Sequence, residues 1–164
     1  MIRLNDVHAI KLIAGAANIQ FVPKLHYCVA SYDKNDILMG GTLYTDITGV
    51  GGSCQVHFAG FRPNWINKAL LYCGFQYPFE QLGLKKIIGP IPEYNYKSRN
   101  MAIRLGFNIE YKIEDVFNYS HGINGMYITS MTRDKCRWLD MEPPEFDFAP
   151  SHLTSNAQLS VVGL

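Results

Sequence analysis

The chain has no excess of charge, no long apolar run and no paired cysteines, and each absence removes a class of function. Its 164 residues carry 15 Lys and Arg against 14 Asp and Glu, a formal net charge of +1. A nucleic-acid binder that works through bulk electrostatics needs a basic field, and "LKKII" with scattered arginines does not make one. No stretch reaches the ~18 consecutive apolar residues of a transmembrane helix. Met1 to Asp6 is polar, and the apolar stretch behind it is broken by Lys11 and Asn18, so no signal peptide is read. The expectation is a soluble, cytoplasmic protein with neither nucleic acid nor membrane as partner. Cys28, Cys54, Cys73 and Cys136 stand singly, without CxxC or zinc-ligand spacing. They read as buried free thiols in a reducing compartment, and no metal is expected.

What is present is a folding composition. Hydrophobic residues make up 48% of the chain and charged ones 18%, so it can fill a core rather than stay disordered. The length suits one domain. A short helix is expected around His8 to Ala17. "LHYCVAS", "ILMGGTLYTDI" and "SCQVHFAGF" then read as three strands separated by the turns "DKND" and "TGVGG", an antiparallel meander. Gly40 and Gly41 mark a bulge or a close backbone approach.

The period then changes. Residues 64 to 82 carry apolar side chains at 65, 66, 69, 70, 73 and 77, a helical spacing that Asn64 can cap and Pro78 should kink. "LKKIIGPI" is a short strand. "PEYNYKSRNMAIRLGF" follows as a helix with an explicit start and stop. Asn95 is its cap, Ser98, Met101, Ala102 and Leu105 share a face, and Gly106 with Phe107 ends it. "FNIEYKIEDVF" and "MYITSMT" are the last strands, with "NYSHGING" as a loop. The order is β-β-β-α-β-α-β-β behind a helix. Residues 140–164 hold Pro143, Pro144 and Pro150 but no Lys or Arg, and read as an extended or partly disordered tail, not a second domain, beyond a domain of residues 1–139. "CRWLD", ahead of that tail, is expected to cover the sheet edge.

Taken in order, the kinked helix, "QLGLKKIIG", the capped helix and "LGF" resemble the core of the GCN5-related N-acetyltransferase (GNAT) family. The likeness is to the branch that acetylates ribosomal-protein N-termini and to its phage-encoded cousins, and it spans roughly residues 25–139. Its best motif is Asn95-x-x-Ser98 followed by Leu105-Gly106-Phe107, with an eleven-residue step from Asn95 to Gly106. The resemblance implies an α/β fold with a mixed, mostly antiparallel twisted sheet flanked by helices. It also implies acetyl-CoA as co-substrate and an amine as acceptor: a protein N-terminus, a lysine or a small amine. If the protein is phage-encoded, its setting would be the host cytoplasm.

Acetyl transfer needs a proton acceptor for the amine, donors for the developing oxyanion and an acid near the leaving thiolate. By resemblance, Asn95 would hydrogen-bond the cofactor arm and Ser98 would sit near the sulfur as proton donor. An ordinary helix cap would use the same two residues. The family's pyrophosphate loop maps onto Arg62, Pro63, Asn64, Trp65, Ile66 and Asn67, at the start of the long helix. Trp65 and Asn67 stand where the family has small residues, which implies weak binding with Arg62 and Lys68 supplying charge. The third meander strand is the family's usual place for a base, and it holds Gln55 and His57 on one face. A lone strand histidine also reads as structural. Glu93 and Glu110 are alternatives for the base, though both read as solvated surface charges. The tyrosine common in the family is Ala102 here, leaving Ser98, Tyr94 or Tyr96 to stand in. The function implied is N-acetyl transfer by direct attack, since no cysteine is placed as an acyl-enzyme nucleophile. The alternative is a catalytically silent fold serving as a binding or virion-associated protein.

Overall fold

Asp33 turns the chain between the first two long strands. Its carboxylate accepts from the backbone N–H groups of Asn35 and Ile37 at 2.8 and 2.9 Å, and Asp36 takes a left-handed φ of 64°. This is the local chemistry that favours Asp and Asn in turns. The computed structural model describes residues 1–119 and 122–147. Its elements are β1 (Ile2–Leu4), α1 (Val7–Ala16), β2 (Tyr27–Tyr32), β3 (Leu38–Thr45), β4 (Ser53–Gly60), α2 (Lys68–Gln76), β5 (Lys86–Pro92), α3 (Tyr96–Leu105), β6 (Asn108–Tyr119) and β7 (Gly122–Thr132).

The strands form one seven-stranded sheet in the order β1-β2-β3-β4-β5-β7-β6. Every neighbouring pair is antiparallel except β4 with β5. Side-chain alternation splits the core between the two faces. Cys28, Ala30, Leu43 and Ala59 pack with Ala9, Ile10, Ile13 and Ala14 of α1. Val29, Tyr44 and Val56 point the other way, onto Leu70, Cys73 and Phe75 of α2 and Ala102 and Leu105 of α3. Tyr44 buries its ring there and donates its hydroxyl to Gly74 O at 2.5 Å. The adjacent glycines of β3 serve these opposite faces. A Cβ on Gly41 would lie 2.9 Å from Ile13, and one on Gly40 would lie 2.6 Å from the Trp65 ring.

The helix starts and stops follow capping chemistry. Asp6 accepts from His8 N and Ala9 N to open α1. Gly106, at φ 104°, closes α3 with the paired bonds Phe107 N to Ala102 O and Gly106 N to Ile103 O, the pattern that satisfies orphan carbonyls. The expected start of the long helix is corrected. Asn64 has a left-handed φ of 58° and cannot lead into a helix, whereas Asn67 is extended and accepts from Leu70 N at 2.9 Å. Pro78 does not merely kink that helix. Lacking an N–H, it stands in a π turn over Tyr77–Gln81, where Leu82 N donates to Tyr77 O.

Two further elements differ from expectation. β1 is three residues long, too short for any periodicity. Of "NYSHGING", polar enough to read as a loop, residues 118–119 instead extend β6 and residues 122–125 extend β7, with Asn118 opposite Ile123 and Tyr119 opposite Gly122, while residues 120 and 121 lie outside the described residues. The chain past Thr132 returns to the body: Phe146 meets the Tyr72 ring at 6.4 Å, and Ile2 N donates to Asp147 O at 2.9 Å. The rest of the proline-containing tail, residues 148–164, lies outside the described residues. Among the described residues no helix is long and apolar enough to cross a membrane.

Candidate active site

Among the described residues, the only parallel pair in the sheet comes apart. β4 and β5 are in register at Ser53 with Lys86, Cys54 with Ile87 and Gln55 with Ile88, and the pairing ends there. β4 runs on to Gly60 and β5 to Pro92, each held by its other neighbour. Pro90 and Pro92 stand just past the last pair, and proline has no N–H to continue a ladder. Between the diverging strands lies a cleft of about 460 Å³. Its walls include Ala16, Ala17 and Asn18 at the end of α1 on one face of the sheet, and Asn95, Ser98, Met101 and Ala102 on the other. The cleft therefore passes through the plane of the sheet.

His57 lines it from the α1 face. Burial pushes its imidazole down from an ordinary 6.5 to about 4, with the Asp46 carboxylate opposing and His26 acting the same way as burial. The ring is neutral at pH 7. Its Nε2 lies 3.4 Å from Thr45 Oγ1, and Thr45 donates in turn to Asp46 Oδ2 at 3.0 Å. Gln55 shares that strand face but does not line the cleft. Neither Thr45 nor Asp46 was legible as a neighbour of His57, because their contact depends on the β3–β4 register and not on any motif.

On the α3 face the polar helix start divides into separate tasks. Asn95 is the cap, its Oδ1 accepting from Ser98 N at 3.1 Å. Arg99 lies over the Tyr127 ring at 4.7 Å. Asn95, Ser98 and Tyr94 line the cleft, and so does Ala102. Tyr96 faces elsewhere. With Lys97, Asn100, Met101, Arg104, Ile66 and Trp138 it borders a second groove of about 420 Å³ between α3 and the approach to α2. Met101 lines both hollows. "CRWLD" lies over the end of α3, not over the sheet edge. Helix-terminal carbonyls need donors; Trp138 Nε1 donates to Leu105 O and Arg137 to Arg104 O, both at 2.7 Å.

The expected phosphate loop is spread over several roles. The Trp65 indole packs on the directly paired glycines Gly40 and Gly60, so its bulk is turned into the sheet. Asn67 caps α2 and donates Nδ2 to Ser31 Oγ at 2.9 Å. Ile66 reaches the second groove. Arg62 and Asn64 are exposed and line neither hollow. The two carboxylates read as surface charges are ion-paired: Glu93 with Lys112 at 2.7 Å and Glu110 with Lys86 at 2.8 Å. Those partners hold both carboxyls below their ordinary range.

No protein-family model matches the chain, and no curated protein matches its sequence. Solved structures do match its shape. A mutant form of the spermidine/spermine N-acetyltransferase SpeG from Vibrio cholerae superposes with a TM-score of 0.69 at 14% identity, covering 85% of this chain and 97% of that one. A second SpeG mutant gives 0.65 at 15%, covering 85% and 96%. The ribosomal-protein-S5-alanine acetyltransferase from Vibrio fischeri gives 0.57 at 18%, covering 77% and 69%. At such identities the likeness establishes the fold, which is that of the GNAT acetyltransferases.

Proposed function

We propose that the protein is an acyl-CoA-dependent N-acyltransferase that moves an acetyl group from acetyl-CoA to an amine by direct attack. The observation that carries this reading is the through-sheet cleft, which sets a neutral histidine on one face and a serine hydroxyl on the other. An amine and an acyl donor arriving from opposite faces meet between β4 and β5.

The residues present fit the cofactor at one end better than at the other. Met101 lines both the cleft and the second groove, and Lys97 and Arg104 put positive charge along that groove. Trp65 is folded onto Gly40 and Gly60. Among the described residues the Lys68 and Ala69 amides of that first turn have no capping partner, while Leu70 N is taken by Asn67. Such amides suit a pyrophosphate, and Arg62 and Lys68 add charge beside it. Asn95, Ser98 and Ile66 contribute walls, and Asn64, Trp65 and Asn67 hold the loop's path. When bound, acetyl-CoA would supply an acyl thioester.

The chain's own groups supply the rest. His57, neutral at pH 7, accepts the amine's proton, and Ser98 Oγ offers a proton at the opposite face. The unpaired edges of β4 and β5 present backbone donors and acceptors to whatever lies between them. A covalent cysteine route is disfavoured by burial, which lifts the Cys28 and Cys54 thiols to about 12 and the Cys73 thiol to about 11. The acceptor is an amine of a protein N-terminus, a lysine or a small molecule.

A second reading, a silent fold kept for binding, is favoured by one observation: Asn67 occupies an amide that a phosphate would otherwise use. Thermal shift and calorimetry with acetyl-CoA and coenzyme A separate the two readings, followed by acetyl transfer to a panel of amines. Micromolar binding with turnover supports the enzyme. No binding at millimolar cofactor overturns it.

A further inference from the structure

We propose that Thr45 and Asp46 are positioning residues that fix the tautomer of His57 and support its charged form. The inference rests on the acyl-transfer reading above and extends it by two residues that no motif marks. The three side chains form one hydrogen-bonded chain: His57 Nε2 to Thr45 Oγ1 at 3.4 Å, and Thr45 Oγ1 to Asp46 Oδ2 at 3.0 Å.

The polarity of that chain follows from counting protons. A hydroxyl has one hydrogen to give, and an ionised carboxylate only accepts. With Thr45 donating to Asp46, Thr45 Oγ1 has only lone pairs left for the imidazole. His57 therefore carries its ring hydrogen on Nε2, and Nδ1 keeps the lone pair. A histidine orders its two nitrogens by the bond that one of them makes, and an isolated neutral ring would divide its population between two tautomers. Here a single tautomer is selected, with Nδ1 as the basic atom.

The fold places these groups by register and not by sequence adjacency alone. Leu43 pairs with His57 and Thr45 with Gln55, so Thr45 and His57 are diagonal neighbours on the α1 face. Thr45 is 3% exposed, whereas Asp46 is in solvent at a left-handed φ of 51°, just past the end of β3. The chain thus runs from the cleft wall, through a buried hydroxyl, to a hydrated carboxylate. Asp46 and His26 are the charged or titratable groups acting on His57, and Tyr94 shares its cleft. Residues 16–18 at the end of α1 bring none.

In the reaction the amine's N–H bond breaks and its proton goes to Nδ1, giving an imidazolium. Nε2 keeps its hydrogen, Thr45 keeps its own, and Asp46 stays ionised. The new positive charge is met through the hydroxyl by the carboxylate. Nδ1 then returns its proton to solvent, and the ring is back in its starting tautomer without a flip.

Imidazole ¹⁵N shifts of the full chain, assigned with His57→Gln, test this directly. Wild type should show a protonated Nε2 and an unprotonated Nδ1 at pH 7. Thr45→Val should mix the tautomers, Thr45→Ser should restore them, and Asp46→Asn should move the His57 titration further down. In turnover, Thr45→Val should lower kcat at least ~10-fold with KM unchanged, a part of the ~10²–10⁴ that a positioned base supplies. Mixed tautomers in wild type, or a tautomer indifferent to Thr45→Val, would overturn the inference. A loss of rate in Thr45→Val without a tautomer change would overturn it too. The nitrogen shifts need neither cofactor nor amine, so they decide this inference even if wild type proves inactive, an outcome that would sink only the acyl-transfer reading.

Discussion

Acid should destabilise this protein through His57 well before its paired carboxylates titrate. The unfolded imidazole takes a proton below about 6.5, but the folded one does so only below about 4, because burial disfavours its charged form. Between those values the unfolded state binds more protons, so stability falls as pH falls throughout the window. Each tenfold difference in proton affinity is ~1.4 kcal/mol, which makes the whole loss up to about 3 kcal/mol. For a chain of this size that corresponds to roughly 6–12 °C in Tm. Glu93, Glu110 and Asp134 have carboxyls held below 4.5, 4.5 and 3.8, so their contributions are present at neutral pH and are lost only below those values.

The assay is a set of thermal melts from pH 7 to pH 4 on wild type and His57→Gln. Glutamine keeps a polar side chain near Thr45 but cannot become an imidazolium. Wild type should lose stability steadily from pH 6.5 downward. The variant should stay level to about pH 4.5, where the carboxylates take over. The wild-type slope reproduced in His57→Gln would refute the argument, since the loss would then come from other groups. A functional consequence follows from the same shift. A base that stays neutral to about pH 4 cannot give an acid limb near pH 6, so any rise in rate above neutrality should track the pKa of the acceptor amine.

Three further outcomes are expected. Ser98→Ala should leave the melting temperature unchanged, because its backbone N–H still bonds Asn95, yet slow turnover by about 10²–10⁴ if its hydroxyl is the acid. Arg62→Ala should weaken coenzyme A in calorimetry by the loss of a charge-assisted contact; unchanged affinity there, with a drop in Lys97→Ala or Arg104→Ala, would move the phosphate contacts to the second groove. Gly60→Ala would set a Cβ 2.1 Å from Trp65 Nε1, and the forced shift of a rigid indole should cost about 1–3 kcal/mol in urea unfolding.

How much of this was legible in the sequence depends on the range of the interaction. The α3 start and stop were, because Asn95 and Gly106 act on amides and carbonyls within one turn of themselves. The meander was, because alternation and turns rich in Asp or Gly are local. The long helix was misjudged at its start because two asparagines, Asn64 and Asn67, compete for the cap. Only backbone conformation decides between them: Asn tolerates the left-handed region that Asn64 occupies, and the extended region that Asn67 occupies is what a cap requires. Trp65 shows the same limit from the other side. Its size, read along the chain, looked like an obstacle in a phosphate loop. Its actual setting depends on Gly40 and Gly60 lying opposite each other in two strands, a pairing no local pattern announces. The cleft is intermediate. Pro90 and Pro92 are visible as residues that cannot continue a ladder, but that the break falls beside His57 depends on β5 lying next to β4, through a crossover by α2. The site is therefore readable residue by residue, and its assembly is a property of register. Sequence can nominate His57 and Ser98 separately, but it takes the parting of one parallel pair to put them on opposite walls of the same opening.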